Sequence, residues 1–177
     1  TKQTLLKCDY AITTTSALAN ELKNYVADVY INRNVASEKM LKYSERAKAN
    51  VQKEKDKIIL GYFSGSITHN SDFEMILPAI KKVMQENSNV YLKVVGELNL
   101  PKELADLKDR IISSPFMEWK KLPELIASVD INLAPLEDTL FNAAKSENKW
   151  VEASMVGVPT IASNVGAFAE EIEHGVD

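Results

Sequence analysis

Cysteine is almost missing from this chain, with Cys8 alone among 177 residues. A lone thiol cannot form an intramolecular disulfide, so the fold does not depend on an oxidising compartment. Histidine is nearly as scarce: His69 and His174 stand far apart with no Cys or acidic cluster at ligand spacing around them, which argues against a zinc site. No apolar run approaches the ~18 residues of a membrane span, and nothing at the start reads as a secretory leader. An excess of positive charge is also missing, since 21 Lys and Arg face 25 Asp and Glu for a formal net charge of −4. Nucleic-acid binders need clustered Lys and Arg, whereas the adjacent pairs Lys81-Lys82 and Lys120-Lys121 read as solvated helix positions. A cytoplasmic protein fits these absences. The chain starts at Thr1 without Met, so its natural N-terminus and any targeting signal are expected to lie outside it.

What is present is alternation. Short β-branched runs trade places with helical patterns, as in a parallel sheet with crossover helices. The length suffices for one α/β domain burying roughly 70% of its unfolded surface. Residues 1–55 read as a lead-in segment packed on a main domain of residues 56–177. In the lead-in, Tyr10 to Thr14 and Val29 to Ile31 are expected strands, and Ser16 is the expected cap of a helix from Ala17 to Tyr25. Glu38 to Lys55 is too charged for a core helix and reads as an exposed helix or linker.

From Lys57 the pattern sharpens. Lys57 to Phe63 is a strand, followed by the polar loop Ser64 to Ser71 and a helix from Asp72 to Gln85 whose Phe73, Ile76, Leu77, Ile80, Val83 and Met84 form one apolar stripe. Val90 to Val95 is the next strand, and Pro101 opens a short helix ending near Lys108. Ile111 to Ser114, Asp130 to Leu133 and Thr160 to Ser163 are further strands, with helices at Leu122 to Ser128 and Lys145 to Val156. Gly157 and Pro159 supply the stop signal of the last helix. Such βα units predict a doubly wound, Rossmann-like sheet with its ligand beyond the strand carboxyl ends. The loops after Phe63, Gly96, Ser114, Pro135 and Ser163 are the candidate site.

Several runs resemble a known family in order and spacing. Glu152-Ala153-Ser154-Met155-Val156-Gly157-Val158-Pro159-Thr160-Ile161-Ala162-Ser163-Asn164-Val165-Gly166 is similar to the run near the end of retaining GT-B glycosyltransferases of group 1. Leu122 to Pro135 resembles their preceding helix and strand, and Leu60-Gly61-Tyr62 with Val94-Val95-Gly96 resembles their opening strands. Cys8 to Ile12 and Val29 to Asn34 resemble the family's approach to this domain. The resemblance implies the C-terminal, donor-binding half of a GT-B fold, truncated at its C-terminus and inactive alone. The whole enzyme would move a sugar, with retention, from a nucleotide diphosphate to a glycan or lipid-linked acceptor held by an N-terminal domain. Bacterial polysaccharide biosynthesis is the implied setting, with a hexosyltransferase lying in the cytoplasm or at the inner face of the membrane. The donor is then a substrate, and neither cofactor nor metal is expected.

Transfer needs positive donors beside the leaving diphosphate, whose charge grows in the transition state. A helix opening at Lys145 would present free N–H groups, with Lys145 as the catalytic point charge and Ser146 in the first turn. Lys145, Lys149 and Glu152 would share its face, and Glu152 matches the family carboxylate that binds ribose hydroxyls. The alternative reading of the three is an exposed, paired helix face. The sequence departs from the Glu-x7-Glu pattern because Ala144 stands where the first glutamate belongs. Asn142 and the amides of Ala143 and Ala144 then become candidate sugar contacts. The first loop also lacks the usual Arg and Lys-Gly, offering Ser64, Ser66, His69 and Asn70, and His69 is as readily an ordinary loop residue as a phosphate donor. Backbone near Phe116 and Met117 is the candidate reader of the base edge, although Phe116 and Trp119 fit packing equally well. The competing reading is a non-catalytic nucleotide-binding or interaction module of the same fold.

Overall fold

The computed structural model describes residues 2–65 and 70–176. In chain order its first elements are α1 (Lys2–Leu5), β1 (Tyr10–Thr13), α2 (Ser16–Leu22), β2 (Asp28–Ile31) and α3 (Glu38–Asn50). Next come β3 (Ile58–Ser64), α4 (Asn70–Glu86), β4 (Val90–Gly96), a 3-10 helix (Lys102–Arg110) and β5 (Ile111–Ser114). The last are α5 (Leu122–Ala127), β6 (Ile131–Ala134), α6 (Leu140–Ala143), α7 (Asn148–Met155), β7 (Thr160–Ala162) and α8 (Ala167–Glu171). They form two compact units, one of Thr1–Val35, Leu136–Asn148 and Ser163–Asp177, the other of Ala36–Pro135 and Lys149–Ala162.

The larger unit is built on a five-stranded, fully parallel sheet in the order β5-β4-β3-β6-β7. The doubly wound α/β expectation is met. β3 reads as a nearly continuous apolar run because both of its faces are covered. Leu60 and Tyr62 join Phe73, Ile80 and Met84 of α4, with Leu92, Val94 and Leu133, in one core cluster. Ile59 and Phe63 join Ala47 of α3, Ile126 and Ala127 of α5, and Ala153 of α7 in the other. At the start of β3, the Ile59 N–H donates to the Asp130 carboxylate at 2.8 Å, and Lys53 pairs with that carboxylate at 3.4 Å.

Several local expectations change. Thr15, not Ser16, caps α2 by accepting from the Leu18 N–H, because the cap must lie in extended backbone just before the first turn. Pro101 is the residue before its helix, which is 3-10 rather than α, and the buried Leu104 and Leu107 match a period of three. In the α4 stripe, Val83 lies at the margin, 40% exposed. Pro78 stands inside α4 at an exposed position and has no N–H to donate to the preceding turn. The charged segment 38–55 supplies α3, whose Ser44 and Ala47 are buried. The short helices α1, α6 and α8 carry too little periodicity for a sequence reading to find.

In the smaller unit, β1 and β2 form a separate two-stranded parallel sheet. Register and alternation place Tyr10, Ile12 and Tyr30 on one face, all three exposed, with the two tyrosine rings edge to face at 6.5 Å.

Gly96 ends β4 at φ +94°, and a Cβ there would stand 1.9 Å from the Ser64 carbonyl oxygen at the end of β3. Both the backbone angle and the contact exclude a side chain. Gly96→Ala is expected to destabilise the fold by at least about 1–3 kcal/mol, the cost of a side chain in a disfavoured backbone region. Urea denaturation reads this out, and an unchanged midpoint contradicts it.

Candidate functional site

The chain leaves β3 outward to β4 and β5, then returns to the other side of β3 for β6 and β7. The switch point therefore lies between β3 and β6, where doubly wound sheets open a crevice at their carboxyl ends. Of the expected residues in the loop after β3, Ser66 and His69 lie outside the described residues. Asn70 opens α4, and its Oδ1 is buried without a hydrogen-bond partner among the described residues.

Beside this point lies a cluster that sequence reasoning did not single out. Tyr62 is fully buried, with its ring centroid 4.9 Å from that of Phe73 and the Lys149 ammonium 5.1 Å above it. Burial, reinforced by the negative charge of buried Asp72, pushes the Tyr62 hydroxyl far above its ordinary range and keeps it neutral. Asn132 of β6 is equally buried, and its Nδ2 donates at 3.1 Å to both the Lys149 carbonyl and the Thr160 hydroxyl. That amide fixes the first turn of α7 against β6 and β7. The available signal was a polar Asn inside an otherwise apolar strand.

Glu152 follows Lys149 by three residues on α7 and is partly buried. It lines an open recess with Met40, Trp119, Leu122, Pro123, Ile126 and Met155. Burial raises the Glu152 carboxyl above the usual carboxylate range, and the Lys149 charge opposes the shift. Trp119 packs edge-on against Tyr43 at 5.5 Å and carries the Lys39 ammonium 5.5 Å from its ring. It therefore both packs and forms a wall of the recess. Phe116 and Met117, in the loop after β5, are exposed.

The remaining candidates belong to the smaller unit. Thr139 caps α6 by accepting from the Asn142 N–H, and the buried Asn142 side chain donates to the Glu137 carbonyl at 3.0 Å. The Ala143 and Ala144 N–H groups donate to the carbonyls of Thr139 and Leu140, so the amides expected to meet a sugar are engaged within the helix turn. Lys145 and Ser146 do not open a helix. They lie in the bend between α6 and α7, which begins at Asn148, so Lys145 shares no helical face with Glu152. The Lys145 ammonium stands 5.1 Å from the Phe141 ring, and Ser146 Oγ accepts from Asn34 at 2.9 Å. Among the described residues no group of three or more His, Cys, Asp or Glu is arranged to hold a metal ion, and no helix is long and apolar enough to cross a membrane.

The sequence profile described as Glycosyl transferases group 1 matches residues 58–177. This chain belongs to that family. An uncharacterized glycosyltransferase of Methanocaldococcus jannaschii is 27% identical over 128 residues, covering 69% of this chain and 31% of the relative. Among solved structures, Anabaena HepE in complex with UDP and glucose superposes with a TM-score of 0.64 at 18% identity, over 96% of this chain and 48% of its own. S. aureus TarM, solved as a variant with fondaparinux, α-GlcNAc-glycerol and UDP, gives 0.66 at 13% identity, over 97% and 33%. The group 1 chain thus spans 31% to 48% of these relatives' lengths, and its fold is that of GT-B glycosyltransferases.

The Glu152 environment sets a sign. With a folded pKa above the unfolded one, the native state binds more protons between the ordinary glutamate value of about 4.3 and the raised value, so stability falls as pH rises through that window. Glu152→Gln is expected to melt higher than the parent at pH 7, with the gap closing below about pH 4. Thermal melts at both pH values check this, and a lower melting temperature at pH 7 contradicts it.

Proposed function

We propose that this group 1 chain is the donor-binding, C-terminal domain of a retaining hexosyltransferase that takes sugar from a nucleotide diphosphate and passes it to a glycan or lipid-linked acceptor. The observation that carries the reading is the partly buried Glu152 carboxylate on the wall of an otherwise apolar recess. An ionised group held where burial disfavours it costs stability, and such groups concentrate at functional sites. In this reading the carboxylate accepts from the ribose hydroxyls, and backbone near Phe116 and Met117 reads the base edge. Lys145 and Ser146 are assigned to the diphosphate, as are Ser66, His69 and Asn70. Asn142, Ala143 and Ala144 shape the loop on the sugar side. The reaction uses no cofactor and no metal. UDP is the first nucleotide to test, since HepE and TarM were both solved with it. The acceptor is held by a further domain, and the enzyme works in the bacterial cytoplasm or at the inner face of its membrane.

A second reading has one observation in its favour. Ala144 stands where a Glu-x7-Glu enzyme has its first glutamate, as in a module that binds nucleotide without transferring sugar. Sugar transfer by the full-length protein, with this domain alone binding nucleotide and turning over nothing, favours the enzyme reading.

Glu152→Ala is expected to weaken UDP binding by about 1.5–3 kcal/mol, the range for hydrogen bonds to a charged group. Calorimetric titration measures it, and unchanged affinity for UDP, GDP and dTDP removes Glu152 from the site. Lys145→Ala is expected to weaken a nucleoside diphosphate much more than the bare nucleoside, and in the full-length enzyme to depress turnover more than donor binding. Equal losses for uridine and UDP assign Lys145 a structural role.

A further inference from the structure

The bend at residues 144–147 is short of regular structure, yet three contacts from the first 35 residues hold it, and a fourth packs on Ala143 just before it. The Thr15 hydroxyl donates to the Ala144 carbonyl at 3.1 Å while its oxygen accepts from the Leu18 N–H, so one side chain caps α2 and grips the bend. Asn34 donates from Nδ2 to Ser146 Oγ at 2.9 Å. Arg33 faces Glu147 with Nη1 at 3.9 Å, while its Nη2 reaches Glu170 at 2.7 Å and Glu171 at 2.8 Å. Gly166, at φ +54°, packs so tightly on Ala143 that a Cβ would lie 2.4 Å from the Ala143 carbonyl oxygen.

Two of these contacts have a chemical meaning beyond holding the chain. Because Ser146 Oγ accepts from Asn34, its own proton is directed toward a different acceptor, which makes the hydroxyl a donor suited to an anionic oxygen. Glu147 is a buried carboxylate next in sequence to Ser146, a poor neighbour for a diphosphate unless its charge is offset. Arg33 supplies that offset. Its guanidinium is held firmly charged, first by the hydrogen bond it donates to Glu170 and also by the charges of Glu171 and Glu147, against some loss of solvation.

We propose that Thr15, Arg33 and Asn34 are positioning residues that shape the 144–147 bend into a diphosphate-binding loop, acting through Ala144, Glu147 and Ser146. The inference rests on the reading that Lys145 and Ser146 meet the diphosphate. It assigns the first 35 residues a part in donor recognition.

The test uses the full-length protein and two probes, uridine and UDP. Asn34→Ala is expected to weaken UDP about tenfold while moving uridine no more than about twofold, the size of one hydrogen bond in an equilibrium constant. The double variant Asn34→Ala with Ser146→Ala is expected to bind UDP no worse than Ser146→Ala alone, because the first residue acts through the second. Thr15→Ser is expected to keep parental UDP affinity and Thr15→Val to lose it, and Arg33→Lys is expected to fall between the parent and Arg33→Met. Equal losses of uridine and UDP across the series, additive losses in the double variant, or a series that leaves UDP untouched overturns the proposal while the donor reading stands. A parent protein that binds neither probe overturns the donor reading, and this inference with it. Asn34→Ala keeps the test decisive should Arg33→Met fail to fold, because its hydrogen bond lies at the surface.

Discussion

The pairing of β3 with β4 on one side and β6 on the other is the constraint on which the larger unit depends. A strand with both edges bonded and both faces covered must be apolar along its length, and Ile58 to Phe63 meets that demand except at Gly61. There, a Cβ would lie 2.8 Å from both Phe63 and Val129 side chains, so the missing side chain lets the second core layer close. With β3 central, the return crossover to β6 creates the switch point, and the crevice follows from topology alone. Asp130 and Lys53 at one end of β3, and Gly96 against Ser64 at the other, keep the strand in register with its neighbours.

The larger unit was legible because parallel strands leave a strong signature. Continuous apolar runs, Gly157 with Pro159 after α7, and stripes of three- and four-residue spacing each answer to a local rule. The smaller unit was legible only in part. Its residues come from three separate stretches of chain, and α6 and α8 are too short for any period to show. The helix expected from Lys145 begins instead at Asn148 because Thr15, Arg33 and Asn34, more than a hundred residues away in sequence, hold the preceding bend. No local pattern encodes that.

Among the candidate residues, Glu152 was visible because its run resembled a family, whereas the recess around it was not. Met40 of α3 and Trp119 before α5 are far apart in sequence and come together only at that recess. Tyr62, Asp72 and Asn132 escaped notice for a related reason, and Lys149 was read only as a charge on the helix face of Glu152. Each looks ordinary in its own element, and only the fold places an ammonium over a phenol ring beside a buried carboxylate.

The two-stranded sheet of β1 and β2 has a colloidal consequence. Among the described residues each strand leaves one side of its backbone without a sheet partner, and Tyr10, Ile12 and Tyr30 present an aromatic and branched face to solvent. Parallel sheets are ordinarily sheltered on both faces, and open edges of this kind template the addition of other strands. In a concentrated solution this ribbon is therefore one place where self-association is expected to start, and charging or covering these three side chains is expected to suppress it.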